Sequence, residues 1–263
     1  MDTTLHYKTE FVRLRDNLES FVFRFVCNRQ DMEDIVQETY VKVFQNINTF
    51  QNRSSFKTWV FTIAANTAKN YLKKHKLWKE NFQDKAEALH LESDEIMGLL
   101  KNVYYTSPDI QFEICEHISY CFNCIIKTLK LSQQICLLLK EIYGFKIKEI
   151  MEITLFSEGK VKHNLSYAKK NMALIFDQRC ALINKKGICN QCNSLMDALH
   201  PEQAKDKKTA PDLFFTKSCK NDPVGLLNIR MEMIKLIHPL NSPNSHLNTY
   251  LIEHLPEWAN MKN

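Results

Sequence analysis

The stretch RSSFKTWVFTIAANTAKNYLKK, Arg53 to Lys74, reads as one helix with two faces of different character. At about 100° per residue, Val60, Phe61, Ala64, Ala65, Ala68, Tyr71 and Leu72 gather on one side as a core face. Trp59, Ile63, Asn66, Asn70 and Lys73 gather on the other. A surface that holds unpaired nucleic acid needs a π face on which bases stack, amides that read base edges and cations that meet phosphates. Trp59, the pair Asn66 and Asn70, and the cations Lys69, Lys73 and Lys74 are candidates for those three tasks. Tryptophan is usually largely buried, so packing of Trp59 beneath the adjoining loop is the alternative.

Two amphipathic segments precede this helix. In TEFVRLRDNLESFVFRFVC the residues Phe11, Leu14, Leu18, Phe21, Val22 and Phe25 recur at helical spacing. In DMEDIVQETYVKVFQNI the inward set is Ile35, Val36, Tyr40, Val43 and Ile47, and the opposite face lines up Asp31, Asp34 and Glu38. Three carboxylates on successive turns repel one another, so this face calls for a basic partner or for solvent.

Composition agrees with a helical protein. The chain has 263 residues, a 44% apolar share that is enough for packed cores, and only 5 glycines, too few for a turn-rich β fold. The net charge of +5 hides a strong asymmetry. Gln51 to Glu80 holds seven basic residues and one acid, whereas Glu80 to Ile118 holds two lysines and nine acids. A basic helix with an aromatic inside it suits nucleic acid. The early run FVFRFVC is interrupted by Arg24 and followed by no cleavage-like site, which argues against a signal peptide. No run approaches the roughly 18 to 20 apolar residues of a membrane span. A cytoplasmic location follows as the expectation, with the nine cysteines reduced there.

Downstream, the helical period returns from His117, and HISYCFNCIIKTL, SQQICLLLKEIYG, KIKEIMEI and SEGKVKHNLSYAKKNMALIF read as four helices, the last two joined by a tight turn. Six of the seven prolines lie beyond residue 200. The tail there carries DPVGLLNIRMEMIKLI, with Asp222 at an N-cap and Pro223 at the first helical position. Its apolar stripe suits packing on the parent domain and docking of a partner equally well.

An acidic helix, a polar loop, a Trp/Asn/Lys helix, a linker and a helix-turn-helix, in that order, resemble the bacterial RNA polymerase sigma factors of the extracytoplasmic-function group. The resemblance rests on DMEDIVQETYVKVFQNINTFQNRSSFKTWVFTIAANTAKNYLKK for region two and on LKLSQQICLLLKEIYGFKIKEIMEITLFSEGKVKHNLSYAKK for region four, and the two regions together cover about half of the chain. It implies an all-α fold of two small helical domains joined by a linker, with a helical C-terminal extension. The corresponding boundaries are 1–78 for region two, 79–116 for an acidic linker, 117–180 for region four, 181–204 for a cysteine-containing knuckle and 205–263 for the extension. The resemblance implies binding of core RNA polymerase through Asp31, Asp34, Gln37 and Glu38. It also implies capture of a flipped base of the minus-10 promoter element by Asn52, Arg53, Trp59, Asn66, Lys69, Asn70, Lys73 and Lys74. Minus-35 contacts would come from Ser157, Lys160, His163, Asn164, Tyr167 and Lys170, the outward face of the second helix-turn-helix helix. An anti-sigma protein and a DNA-targeting protein docked on the extension are further candidate partners.

Two positions depart from the family pattern. Leu155 stands where the turn usually has glycine, and Met151 where the first helix usually has alanine; the outward face also lacks arginine, the commonest reader of guanine. A chain of this kind is not an enzyme and needs no cofactor, and no Walker loop, HExxH or deaminase signature is present. Cys121 and Cys124 share a helix face, and Cys189 and Cys192 repeat the CxxC spacing. Four thiolates suit one structural zinc; redox sensing and inert buried thiols are the alternatives. A helix-turn-helix regulator independent of polymerase and a cysteine-based metal or redox sensor are the rival functions.

Overall fold

Three helices make up the first half of the computed structural model, which describes residues 3–73, 94, 110–179, 222–241 and 249. Helices α1 (Thr3–Val26), α2 (Arg29–Gln45) and α3 (Phe56–Leu72) all pack on one another. Most of the residues that seat them are those the 3.6 period picks out: Leu18, Phe21, Val22 and Phe25 from α1, Ile35, Val36 and Val43 from α2, and Val60, Phe61, Ala64 and Ala68 from α3, whereas Tyr40, expected inward on α2, is exposed. Side-chain caps set two of the starts. Asn28 accepts the Asp31 N–H and Ser55 accepts the Thr58 N–H, each satisfying an orphan donor of a first turn. Tyr71, expected in the core, is instead exposed at the end of α3, where its hydroxyl is bonded to Asp31 of α2. A phenol keeps its polar tip where an acceptor is available.

The second half contains α4 (Ile110–Ile125), α5 (Leu131–Leu137), α6 (Ile147–Thr154) and α7 (Glu158–Arg179). Helix α4 starts inside the stretch expected to be linker, because Ile110, Ile114 and Ile118 carry the helical period back across that boundary. Helix α5 runs into a π-helical turn, Leu138–Ile142, closed by a Tyr143 N–H bond to the Leu138 carbonyl. Beyond it, Tyr143 faces α1: its hydroxyl lies 2.8 Å from that of Ser20 and its ring meets Phe21 edge-on at 5.4 Å.

Helix α8 (Pro223–Leu236) is capped by Asp222, which accepts from the N–H groups of Val224 and Gly225, with Pro223 in the first turn as the sequence predicts. Its stripe Leu226, Leu227, Met231, Met233 and Ile234 is buried against α4 and α7. The guanidinium of Arg230 lies 4.8 Å over the Phe176 ring of α7. Of the two uses left open for this stripe, the chain's own helices take it, so it is not a free docking face. Apart from residues 222–241 and Thr249, the extension lies outside the described residues, as do the knuckle at 181–204 and, except for Asp94, residues 74–109.

The inward faces of both halves merge into one apolar core. Two buried cations tie them together, each at the carbonyl end of a helix from another part of the chain. Arg24 of α1 donates to the Ile234 and Ile237 carbonyls at the end of α8, and to Ser119 and Asn123 of α4. Lys127, just past α4, donates to the Arg24 and Phe25 carbonyls at the end of α1. A helix C-terminus carries orphan carbonyls and a partial negative charge, which is why these cations can be buried on carbonyls. Burial still lowers the pKa of both below the ordinary range, and it raises that of the neighbouring Cys27 thiol. Helix α6 lies directly on α3, with the Lys57 ammonium 4.5 Å over the Phe145 ring. Among the described residues, no helix is long and apolar enough to cross a membrane.

Candidate nucleic-acid interface

On α2, Asp34, Gln37 and Glu38 are exposed and Asp31 is half-buried, so the expected polymerase contacts form one continuous surface. Their present partners are local. Glu38 pairs with Lys42 at 2.5 Å, Asp34 accepts from Gln30 at 3.3 Å, and Asp31 holds the Tyr71 hydroxyl. Burial first, and then the Asp31 carboxylate, push the Tyr71 phenol well above its ordinary range. An exposed pair such as Glu38–Lys42 is worth about 0–1 kcal/mol, so it yields readily to an external cation.

On α3, Asn66, Asn70 and Lys73 are exposed in line, and Lys69 is half-buried; Lys74 lies outside the described residues. Trp59, expected as a stacking platform or as packing beneath the loop, stands next to that line. It is half-buried, and the ring of Phe50 from the preceding loop is stacked on it at 4.9 Å with 25° between planes. The loop thus lays its own ring on one face of the indole. Phe56 adds a third ring, 6.0 Å from Trp59. Tyr7 of α1 adds a fourth, 4.8 Å from Phe56 and 5.6 Å from Phe50, and its hydroxyl donates to Asn52 Oδ1 at 3.2 Å. Asn52 and Arg53 are exposed at the top of this cluster, and Asn52 has a left-handed backbone with φ of 52°. Sequence reasoning missed Tyr7, which sits 45 positions before Asn52 and carries no local pattern pointing there.

In the helix-turn-helix, Leu155 takes the left-handed conformation (φ 58°, ψ 29°) that its place in the turn predicts for glycine, and its side chain is 83% exposed. Met151 is half-buried against the core. Ser157 accepts the Lys160 N–H at 3.3 Å, as an N-cap should. Lys160, His163, Tyr167 and Lys170 are exposed on α7. Asn164 is not: it is 5% exposed, with its Oδ1 accepting from Ser132 of α5 at 3.4 Å. The outward assignment of Asn164 is corrected on this point, since α5 packs along that side of α7. Lys160 and Lys69, one from each expected DNA-binding helix, lie over the same Phe156 ring at 4.0 and 5.7 Å. Burial, chiefly, lowers the pKa of Lys69, and the Lys160 charge adds to the effect.

Cys121 and Cys124 lie three residues apart on α4, the first half-buried and the second buried, while Cys189 and Cys192 lie outside the described residues. Among the described residues, no group of three or more His, Cys, Asp or Glu side chains is placed to hold a metal ion.

Residues 11–77 match the sigma-70 region 2 family. The chain is 28% identical over 159 residues to the ECF RNA polymerase sigma-E factor of Escherichia coli K12, a match covering 60% of this chain and 80% of that protein. It is 28% identical over 174 residues to the ECF RNA polymerase sigma factor SigX of Bacillus subtilis, covering 62% and 81%. Among solved structures, the sigma factor RpoE of Bartonella quintana, crystallised with the anti-sigma factor NepR, aligns at 18% identity with a TM-score of 0.45, over 65% of this chain and 97% of that one.

Proposed function

We propose that this chain, a member of the extracytoplasmic-function sigma factors, binds core RNA polymerase, brings it to a promoter and helps open the DNA. The observation that carries this reading is the pairing, on one three-helix unit, of the exposed carboxylate row of α2 with the exposed Asn66–Asn70–Lys73 line of α3. The first suits a basic surface on the polymerase and the second suits a separated DNA strand. A regulator that uses only its helix-turn-helix has no use for either. The chain on this reading works by binding rather than catalysis and acts in the cytoplasm.

Minus-10 contacts then fall to Asn52, Arg53, Trp59, Asn66, Lys69, Asn70, Lys73 and Lys74, and minus-35 contacts to Ser157, Lys160, His163, Tyr167 and Lys170. Reading both elements at once requires the two halves to part. Elements separated by about 25 base pairs lie ~85 Å apart at 3.4 Å per pair, whereas Lys69 and Lys160 here share one aromatic ring. An anti-sigma protein remains a proposed partner, and so does a zinc ion on Cys121, Cys124, Cys189 and Cys192. Metal analysis of the purified chain tests the latter.

The experiment for the main reading compares core-polymerase binding by the wild type and by Asp34→Lys combined with Glu38→Lys. Tight binding that the charge reversal abolishes supports the reading. A folded wild type that fails to bind core refutes it.

A further inference from the structure

The loop between Thr49 and Ser55 is held in place by a residue outside both expected DNA-binding surfaces. Tyr7 reaches from the second turn of α1, and its ring completes a four-ring cluster with Phe50, Phe56 and Trp59 beneath the loop. Its hydroxyl is bonded to the side chain of Asn52, the one loop residue in a left-handed backbone conformation. Asparagine tolerates that conformation better than most residues, and backbone of this kind persists only where surrounding contacts hold it.

The hydrogen bond also decides what Asn52 can offer. A primary amide carries both an acceptor oxygen and two N–H donors. Here the oxygen takes the Tyr7 proton, and the exposed amide is left to present its donors to solvent. Arg53, the next residue, is exposed and contributes donors only. The top of the loop is thus a donor surface facing whatever strand lies over it.

We propose that Tyr7 is a positioning residue for strand capture: by holding the Asn52 amide oxygen, it makes the loop select an unpaired base that presents an acceptor edge. This rests on the promoter-opening reading above. Without the Tyr7 hydroxyl the amide turns freely, donor and acceptor edges become interchangeable, and the loop loses part of its preference among bases. The role belongs to opening and not to recruitment, because Tyr7 bonds the loop, whereas the α2 carboxylates are engaged by Lys42, Gln30 and Tyr71.

The test uses holoenzyme assembled from the full chain and core polymerase, with fork-junction DNA whose single-stranded segment is randomised. Bound DNA is sequenced, and core affinity is measured alongside. Tyr7→Phe keeps the ring cluster and removes only the hydroxyl. It should leave core affinity unchanged and reduce base enrichment at one single-stranded position by roughly two- to tenfold, the range of one hydrogen bond. Asn52→Ala should flatten the same position, and the double variant should lose nothing more. Unchanged enrichment with Tyr7→Phe, or an additive loss in the double variant, overturns the proposal. A wild type that binds core yet enriches no base at any position overturns it too, whereas one that fails to bind core removes the sigma reading itself.

Discussion

Replacing Arg24 with alanine should loosen the attachment of α4 and α8 to α1. The guanidinium is 1% exposed and donates four hydrogen bonds: to Asn123 Oδ1 at 2.9 Å, the Ile237 carbonyl at 3.1 Å, the Ile234 carbonyl at 3.3 Å and Ser119 Oγ at 3.4 Å. Burying the charge costs several kcal/mol, and bonds to a charged group return about 1.5–3 kcal/mol each. Truncation removes both terms. It also removes the donor that the Ile237 carbonyl has in Arg24, at about 1–3 kcal/mol where water cannot reach it, and it opens a cavity. The expected net loss is about 3–5 kcal/mol. Urea unfolding measures that loss. Hydrogen exchange locates it, since α8 amides should exchange faster while those of α3 are less affected. Small-angle scattering should register a larger radius of gyration if the halves part. A loss below about 1 kcal/mol with unchanged exchange in α8 would refute the view that Arg24 holds this junction.

Leu155→Gly should raise stability by about 1 kcal/mol in the same urea titration, because glycine enters the left-handed region freely and an exposed leucine there contributes little packing. Asn164→Ala should cost about 1 kcal/mol of stability and leave promoter preference unchanged, whereas Lys160→Ala should weaken binding of duplex DNA. The Cys136 thiol is pushed up to about 11 by burial above all, and the thiolate is the reactive form. Its alkylation, followed by peptide mapping of the native chain, should therefore climb with pH towards a midpoint near 11, against about 8.5 for an exposed thiol. The folded chain keeps this proton at pH values where the unfolded chain has lost it. Cys136 thus withdraws stability as pH rises above the ordinary thiol value, and its full contribution is present only below that value.

The elements of the site were legible from local pattern. The 3.6 period marks α1, α2 and α3, the polar residues left over mark the carboxylate row and the asparagine line, and Asn66, Asn70, Asp34 and Glu38 stand exposed as their spacing implies. Caps were equally plain at Ser157 and Asp222, because a cap bonds within three residues of itself. Leu155 could be read as strained because its turn dictates its backbone. What period cannot resolve is a residue on the edge between two faces. Asn164 and Tyr71 both sit there, and the neighbouring helix decided each: α5 covers the first, and the end of α3 leaves the second in reach of Asp31.

By itself, then, the sequence determined which helices form, which faces they bury and which polar groups remain to meet a partner, since backbone propensity, capping and amphipathicity all act over a few residues. Only the tertiary structure decided that Phe50 covers Trp59, that Tyr7 holds Asn52, and that α8 lies on α4 and α7. It alone turned Arg24, in sequence a mere interruption of an apolar run, into the centre of a buried junction reaching from residue 24 to Ile237. Such contacts join residues more than 200 positions apart. Their free energy arises from desolvation and from orphan carbonyls at helix ends, which exist only once the helices have met.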